Sequence, residues 1–307
     1  LLKVIDKIKL DGINKKYDCL IGLSGGIDSS YIAYLISKYQ LRPLAFHFDN
    51  GWNTEISVRN IKNIVSKLNI ELYTYVVDWE EFKDIQLAFL KAGVIDIELI
   101  TDHAITAVAY NLIRKEKIKY FISGSNYATE AIMPDNWSHY KWDSKNIRSI
   151  HRKFGSLPIK TYPYYGFIKK IKSQSIFKVV RILDYINYVK EDAMEILKDE
   201  LGWEYYGGKH YESVFTKFYQ AYILPTKFNV DKRKAHLSTL ICSGQMTKDE
   251  ALKELQKPLY KNSIELEKDI DYVSKKFGIN REEFDRIMAM PPKSHLSYAN
   301  GVYINNI

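Results

Sequence analysis

Apolar and polar residues follow two alternating patterns in the first half of the chain. Short apolar runs typical of buried strands occupy residues 17–23, 43–49, 71–77 and 119–123. Between these runs, apolar residues recur at helical spacing over residues 29–39, 54–68, 80–92 and 97–115. Strands separated by helices predict an α/β fold, in which a parallel sheet is covered by helices on both faces.

The pattern changes near residue 130. Residues 131–168 are rich in Trp, Tyr, His and Pro without a period, which predicts a loop region. From about residue 169 the chain is expected to be mainly helical, most clearly over residues 184–201, 248–256, 263–277 and 281–288. We therefore expect an α/β domain over residues 1–165 and a mainly helical substrate- or partner-binding region over residues 166–307. The glycine-rich turn at residues 24–29 assigns ATP binding to the first of these.

A glycine-rich turn, Ser24-Gly25-Gly26-Ile27-Asp28-Ser29, separates the first strand from the first of these helices. Glycines let the backbone approach a phosphate, and their N–H groups with the helix N-terminus form an anion cradle. The two serines add hydroxyl donors, and Asp28 either caps the helix or helps to hold Mg²⁺. This loop is predicted to bind the phosphates of ATP.

Two further strand ends lie on the edge of the sheet where ligands of such folds bind. Gly124 and Asn126 follow the fourth predicted strand, and Asp49 ends the second. We expect all three residues to border the nucleotide.

Other glycine motifs fit this turn less well. The Walker A sequence and the GxGxxG fingerprint are both absent. Gly22-Leu23-Ser24-Gly25-Gly26 matches the GxSxG nucleophile elbow, but that elbow normally follows several strands and only one precedes it here. The remaining alternative is that this glycine-rich turn has only a structural role.

Charge and cysteine content narrow the class of partner and compartment. The net charge of +8 favours nucleotides, sugar nucleotides or nucleic acid, although a lysine-rich surface alone would give the same value. Two cysteines without a CxxC pair indicate a reducing cytoplasm. No apolar run reaches the roughly 18 residues that a membrane span needs, so no membrane association is expected.

The hexapeptide matches the SGGxDS signature of the PP-loop ATP pyrophosphatases. The longer pattern resembles the N-acetyl sugar amidotransferases of bacterial surface-polysaccharide (lipopolysaccharide) biosynthesis, through residues 46–53, 101–105, 207–213, 231–238 and 243–247. This resemblance implies that ATP adenylates an acetamido group, AMP and pyrophosphate are released, and ammonia-derived nitrogen replaces the oxygen. The product is an acetamidino sugar, and the substrate an anionic N-acetyl sugar or sugar nucleotide. A separate glutaminase and a cyclase-like subunit would supply the ammonia.

The resemblance and the residue types together predict the site. We expect catalytic roles for Ser24, Asp28, His210 and Glu212. The ATP site is expected to comprise Ser24, Gly25, Gly26, Asp28, Ser29, Asp49, Gly124 and Asn126. The candidate substrate-binding residues are Asp102, His103, Lys209, Lys217, Lys232, Arg233, His236 and Ser238.

Alternatives exist for these candidate substrate residues. Cationic side chains suit diphosphate or carboxylate, and Arg233 is the leading candidate because a guanidinium pairs with both in a bidentate manner. A solvated basic face is the alternative for the cations, and packing in the core is the alternative for His103. The segment from residue 207 to residue 238 is expected to bind the sugar rather than ATP.

One departure from the resembling family shapes the expectation about metals. That family carries a cysteine-rich, zinc-binding segment before the first strand. Either this segment lies before the first residue of the sequence or this member lacks the metal, so no metal site is expected among the residues of the sequence. A tRNA-modifying PP-loop enzyme is the runner-up, favoured by the positive charge and opposed by the lack of a cysteine pair. A non-catalytic ATP-binding module is the third possibility, opposed by the complete loop. Nucleic acid is therefore not the expected partner, and Cys19 is expected to be buried.

Overall fold

A five-stranded parallel sheet forms the centre of the protein. The computed structural model describes residues 1–208 and 211–301. The strands are β1 (Cys19–Gly22), β2 (Pro43–Asp49), β3 (Glu71–Val76), β4 (Tyr120–Ser123) and β5 (Lys178–Arg181). Their order in the sheet is β3-β2-β1-β4-β5, and all four neighbouring pairs are parallel.

Helices precede, connect and follow these strands. In the first part of the chain they are α1 (Leu2–Gly12), α2 (Ile27–Lys38), α3 (Glu55–Leu68), α4 (Trp79–Ala92), α5 (Leu99–Lys115), α6 (Tyr127–Glu130), α7 (Ser144–Phe154) and α8 (Phe167–Ile176). The later ones are α9 (Lys190–Leu201), α10 (Val214–Phe218), α11 (Leu224–Phe228), α12 (Arg233–Cys242), α13 (Lys248–Gln256), α14 (Ser263–Phe277) and α15 (Arg281–Ala289). A π-helical turn, Tyr219–Ile223, joins α10 to α11.

Successive residues of β1 point to opposite faces of the sheet, as the period of a strand requires. Cys19 and Ile21 belong to a core cluster that also contains buried residues of α2, α3 and α9. Leu20 belongs to a second cluster, built with α4, α5 and the C-terminal helices α14 and α15. Helices therefore cover both faces of the sheet, and the predicted fold class is confirmed.

The expectation of a structureless stretch over residues 131–168 is wrong for α7. Ile147, Ile150 and Phe154 recur at helical spacing and the two isoleucines are buried, so the sequence does carry a short apolar stripe, which the surrounding polar residues obscure. The Asp143 carboxylate accepts the main-chain N–H of Asn146 at 3.0 Å and caps the helix.

The region after residue 169 is not wholly helical, as β5 shows. This strand has only four residues, and Val179 on it is exposed, so its sequence carries no alternating pattern. The expected helix over residues 184–201 begins only at Lys190, after a short 3-10 turn, Ile182–Tyr185. The sheet thus extends past residue 165, and the division into residues 1–165 and 166–307 stays a prediction.

The order of strands places two loops side by side at the carboxyl edge of the sheet. The chain leaves β1 towards β2 on one side, while β4 pairs with β1 on the other. Ligands of open α/β sheets bind where the strand order reverses in this way. A Cβ atom on Gly124, just after β4, would lie 3.7 Å from the Cβ of Asp28. Within the described residues no helix has the length and hydropathy to cross a membrane.

Among the glycines at the edge of the sheet, Gly25 should be the most sensitive to substitution. Its φ is +80°, and an added Cβ would lie 2.5 Å from the carbonyl oxygen of Ser57. Gly278 has a similar φ of +73° but open space around it, so Gly278→Ala is a matched control. We expect Gly278→Ala to lower the free energy of unfolding by about 1 kcal/mol, and Gly25→Ala to lower it by about 1–3 kcal/mol more. Denaturant titration measures both values, and equal losses would contradict the close packing at Gly25.

Candidate active site

The loop between β1 and α2 is closed by its own serine side chains. Ser24 and Ser29 hydroxyl oxygens lie 3.1 Å apart, and the N–H of Gly26 donates to Oγ of Ser24 at 3.2 Å. Gly26 is the N-cap of α2 with φ −74°, so it needs no unusual backbone conformation. A Cβ on Gly26 would lie 3.1 Å from Oγ of Ser24, so the missing side chain leaves the loop open to an approaching anion.

Gly25 turns the backbone and anchors the loop to distant parts of the chain. The carbonyl oxygen of Gly25 accepts the indole N–H of Trp203 at 2.9 Å and the amide of Asn60 at 3.3 Å. The Asn60 side chain also binds both main-chain polar groups of Glu204. The segment after α9 is thereby fixed beside the loop.

The loop opens into a cavity of about 650 Å³ that both halves of the chain line. This volume falls in the range of small-molecule sites. From the loop and its neighbour after β4, the lining residues include Ser24, Gly26, Asp28, Ser29 and Gly124. From the second half they include Tyr206, Glu212, Lys217, Lys232, Arg233 and His236. Ten of the sequence-predicted site residues, Glu212 among them, therefore meet around one cavity.

Backbone pairing brings Glu212 to the phosphate loop. The main-chain oxygen of Glu212 accepts the N–H of Thr54 at 3.0 Å, and Val214 N–H donates to the carbonyl of Trp52 at 2.8 Å. An isolated β-bridge joins Asn53 to Ser213 between them. The Glu212 carboxylate oxygen Oε1 then lies 3.1 Å from the position of a Cβ on Gly26.

Two tyrosines of the second half contact the loop and were not predicted from the sequence. Tyr188 donates its hydroxyl proton to Oδ1 of Asp28 at 2.5 Å, and Tyr206 accepts the N–H of Ile27 at 3.3 Å. Burial and the charge of Asp28 raise the pKa of Tyr188, so its phenol stays protonated and donates. With 24 tyrosines in the chain, no spacing in the sequence distinguishes these two.

Arg233 does not present a free guanidinium to the cavity, which corrects its place as the leading anion-binding residue. Its Nε and Nη2 donate to the carboxylate of Asp231, with the shortest contact 2.7 Å. Its remaining N–H groups donate to carbonyl oxygens at the end of α13. The guanidinium therefore ties α12 to α13.

Lys217 and Lys232 differ in whether their ammonium groups are already paired with carboxylates of the protein. Lys217 is held between the carboxylates of Glu265 and Asp269, each 2.9 Å from its Nζ. The side chain of Lys232 makes no hydrogen bond or ion pair within residues 1–208 and 211–301, and its Nζ lies 5.6 Å from the centre of the Tyr219 ring. Lys232 is thus better placed than Arg233 or Lys217 to meet an anion in the cavity.

A group of charged side chains lies near Lys232. Nζ of Lys141 lies 2.7 Å from the Asp96 carboxylate and 3.0 Å from that of Asp102. Glu98 accepts the hydroxyl of Thr216 at 2.8 Å. Burial, followed by the charge of Asp102, raises the pKa of Glu98 to about 7. Asp102 is therefore a partner of Lys141 and does not line the cavity, contrary to its expected contact with substrate.

The His103 ring is held by main-chain groups of the protein, and its expected contact with substrate stays a prediction. It is fully buried, its Nδ1 donates to the carbonyl of Lys141 at 2.8 Å, and its Nε2 accepts the N–H of Tyr165 at 2.9 Å. Burial lowers the pKa of His103 to about 4, which keeps the ring neutral in these two contacts.

Other expected site residues lie outside the cavity lining or outside the described residues. Asp49 binds the N–H of Gly51 and the amide of Asn53, both at 2.9 Å, and so stabilises its own turn. Asn126 caps α6 through Thr129. Ser238 lies on α12 away from the lining. The remaining two candidates, Lys209 and His210, fall in the gap between residues 208 and 211.

The side chains at the loop suit a magnesium nucleotide. Mg²⁺ in phosphate sites is held by one or two carboxylates together with phosphate oxygens and water. Asp28 lines the cavity beside the hydroxyls of Ser24 and Ser29, and it is not the N-cap of α2. Among the described residues, no group of three or more His, Cys, Asp and Glu side chains forms a metal site by itself.

The fold and the loop together define a PP-loop α/β protein of the ATP pyrophosphatase type. Residues 212–306 match the family described as "LPS biosynthesis protein WbpG-like, C-terminal domain". The C-terminal third of the chain thus matches a domain found in lipopolysaccharide biosynthesis proteins, which agrees with the resemblance found in the sequence.

Individual relatives are more distant. A probable mitochondrial tRNA-specific 2-thiouridylase 1 from Caenorhabditis elegans is 25% identical over 163 residues, which are 48% of this chain and 41% of that protein. The chain therefore spans about two fifths of the length of this curated relative. An NMN synthetase structure from Francisella tularensis matches 41% of this chain and 53% of its own, at 20% identity and a TM-score of 0.34. An NH3-dependent NAD synthetase from Campylobacter jejuni matches 82% and 93%, at 16% identity and a TM-score of 0.36.

The raised pKa of Glu98 predicts a pH-dependent loss of stability. A carboxyl group with a folded pKa of about 7 contributes its full stability below its ordinary value of 4.5 and loses it as the pH rises through 7. Glu98→Gln keeps an oxygen acceptor for Thr216 but has no charge. We expect the free energy of unfolding of Glu98→Gln relative to wild type to rise by about 2–3 kcal/mol between pH 5 and pH 8. Urea titrations at the two pH values test this, and a pH-independent difference would contradict it.

Proposed function

We propose that this chain is the ATP-dependent synthetase subunit of an amidotransferase that converts an acetamido group of an anionic N-acetyl sugar into an acetamidino group. The observation that carries the proposal is the single cavity shared by the PP-loop and the first residues of the WbpG-like domain. ATP and the sugar must meet in one site for the acetamido oxygen to reach the α-phosphorus.

The loop residues have distinct tasks in the first step. The acetamido oxygen attacks the α-phosphorus of ATP, and the bond to the β-phosphate oxygen breaks, releasing pyrophosphate. Backbone N–H groups at Gly25 and Gly26, with the hydroxyls of Ser24 and Ser29, bind the departing pyrophosphate as its charge grows. Asp28 would help to hold Mg²⁺, which neutralises phosphate charge when bound.

In the second step, ammonia attacks the adenylated carbon and AMP leaves with the former acetamido oxygen. The incoming nitrogen must lose protons to become the amidine =NH group. The Glu212 carboxylate lies within the cavity beside Gly26, and we assign it the role of proton acceptor. Lys232 is assigned to the anionic group of the sugar.

Ammonia is expected to come from outside this chain. A glutaminase nucleophile is an activated thiolate, whereas Cys19 is fully buried and its pKa is raised by burial. Cys242 is the other cysteine of the chain and is exposed at the end of α12. A separate glutaminase, with a cyclase-like subunit, is therefore part of the proposal, and ammonium salts should support turnover alone.

A tRNA-modifying reaction is the second candidate, favoured by the identity to the C. elegans thiouridylase. Thiolation requires a sulfur carrier, for which cysteine pairs are commonly used, and the sequence contains none. ATP consumption that depends on tRNA and a sulfur donor, and not on any N-acetyl sugar, would favour this candidate.

ATP turnover should give AMP and pyrophosphate rather than ADP and phosphate. A reaction with ATP labelled in the α-phosphate, ammonium and a panel of N-acetyl sugars tests this by product analysis. Gly26→Val should reduce turnover by about 10²-fold or more, because its side chain would displace the phosphate from the loop donors. The φ of Gly26 suits any residue, but a new side chain would lie close to Ser24, Glu212 and Tyr206, so thermal melting must verify that the variant is folded. ADP as the nucleotide product would rule out the proposed reaction.

Lys232 should contribute to sugar affinity and not to ATP affinity. Loss of one charge-assisted contact costs about 1.5–3 kcal/mol, so Lys232→Met should weaken sugar binding about ten- to a hundred-fold. Lys234→Met removes the same charge from an exposed neighbour outside the cavity lining and is the matched control. Calorimetric titration of each variant with sugar and with ATP separates the two affinities. An unchanged sugar affinity in Lys232→Met would show that the anion binds elsewhere.

A further inference from the structure

The hydroxyl of Tyr206 lies at the first N–H group of α2. The main-chain N–H of Ile27, the first residue of this helix, donates to the Tyr206 hydroxyl oxygen at 3.3 Å. The same hydroxyl would be 3.3 Å from a Cβ on Gly26, whereas Oε1 of Glu212 would be 3.1 Å from it. Oxygen atoms of the second half of the chain therefore lie against the loop proposed to bind pyrophosphate.

Three N–H groups around the loop, those of Ser24, Gly26 and Ile27, have acceptors within the protein itself. Ser24 N–H donates to the hydroxyl of Ser29 at 3.3 Å, and Gly26 N–H to that of Ser24 at 3.2 Å. The first N–H groups of a helix have no partner within the helix, and an anion or a side chain normally satisfies them. For Ile27 this partner is Tyr206, whose oxygen takes the place that a phosphate oxygen would take.

The main chain before Tyr206 is firmly attached. Trp203 is bonded through its indole to the carbonyl of Gly25, and the Glu204 main chain is bonded twice to Asn60. The Tyr206 ring packs edge-on against Trp203 with 5.7 Å between the ring centres. After it, Gly207 has a φ of +98° and open space around it. The segment before Tyr206 is thus held by three hydrogen bonds, whereas the glycine after it has no close contacts.

We propose that Tyr206 competes with the nucleotide for the phosphate loop, its hydroxyl holding the position of a phosphate oxygen until pyrophosphate or ATP displaces it. This inference rests on the proposed function of the loop. A phosphate oxygen wins the exchange because charge-assisted hydrogen bonds are roughly twice as strong as neutral ones. Burial raises the pKa of Tyr206, so the competing phenol is neutral.

Removal of a competing hydroxyl strengthens ligand binding, whereas removal of a hydroxyl that contacts the ligand weakens it. If the Tyr206 hydroxyl donated to bound phosphate, its removal would weaken binding. If it occupies the place of phosphate, its removal leaves the Ile27 N–H without an acceptor and so strengthens binding. A neutral hydrogen bond corresponds to about a two- to ten-fold change in affinity, so Tyr206→Phe should bind pyrophosphate two- to ten-fold more tightly than wild type.

The test is calorimetric titration of the purified full chain with inorganic pyrophosphate in the presence of Mg²⁺. Tyr34→Phe is the matched control, because it also removes one hydroxyl at α2, but its partner is Glu200 and neither residue lines the cavity. Thermal melting verifies that both variants are folded. The expected result is tighter binding for Tyr206→Phe and wild-type affinity for Tyr34→Phe.

The outcomes separate this inference from the function on which it rests. Equal affinities for wild type and Tyr206→Phe, or weaker binding by the variant, would overturn the competition while leaving the pyrophosphate site in place. If no form of the chain binds pyrophosphate or ATP, both the proposed function and the competition are wrong. Should Tyr206→Phe prove unstable, Tyr206→Leu removes the same hydroxyl, and the same gain in affinity is expected.

Discussion

The backbone at Gly25 is in contact with two separate parts of the chain, α3 and the segment after α9. Its left-handed conformation brings it against the main chain of Ser57 at the start of α3. Its carbonyl oxygen is bonded to the side chains of Asn60 and Trp203. A side chain at this position would force α3 away and break the attachment of the segment after α9. The geometry of the loop, and the approach of the second half of the chain to it, thus depend on one residue without a Cβ.

The second half reaches the loop by backbone pairing rather than by side-chain packing alone. The bonds between residues 52–54 and 212–214 fix Glu212 next to Gly26, independently of the segment that carries Trp203 and Tyr206. Two attachments, one at residues 203–206 and one at residues 212–214, therefore hold the second half of the chain beside the loop. The glycine-rich loop at the edge of the sheet forms one wall of the cavity, and residues of the second half, including Glu212, form another.

The sequence predicted those features that depend on local pattern. Strands β1, β2 and β4 and the helices between the strands were predicted because each buries an apolar run or stripe, whereas β3 is an edge strand without fully buried residues. The glycine-rich loop was recognised from its glycines and serines between a strand and a helix, and its binding of phosphate stays a prediction. The short strand β5 has no alternating pattern, and the apolar stripe of α7 is short and surrounded by polar residues.

The candidate substrate-binding residues were harder to assign, because the sequence does not show which charged side chains are paired with each other in the fold. Arg233 has every feature of an anion-binding residue except that Asp231, two positions earlier, already takes its guanidinium. His103 is beside a carboxylate in the sequence, yet its ring nitrogens contact main-chain groups. No one-dimensional pattern distinguishes these residues from Lys232, which has no ion pair among the described residues.

Charge balance in the cavity follows from these pairings and bears on selectivity. Within the described part of the chain, the acidic lining residues are at least as numerous as the basic ones, and Lys217 and Arg233 are each matched by carboxylates. The net charge of +8 is therefore not concentrated here. A generally positive cavity would attract any polyanion, including nucleic acid. Among the described residues, the balanced charges of the lining, the N–H groups of the loop and a lysine without an ion pair instead favour a small ligand whose anionic groups have the matching spacing.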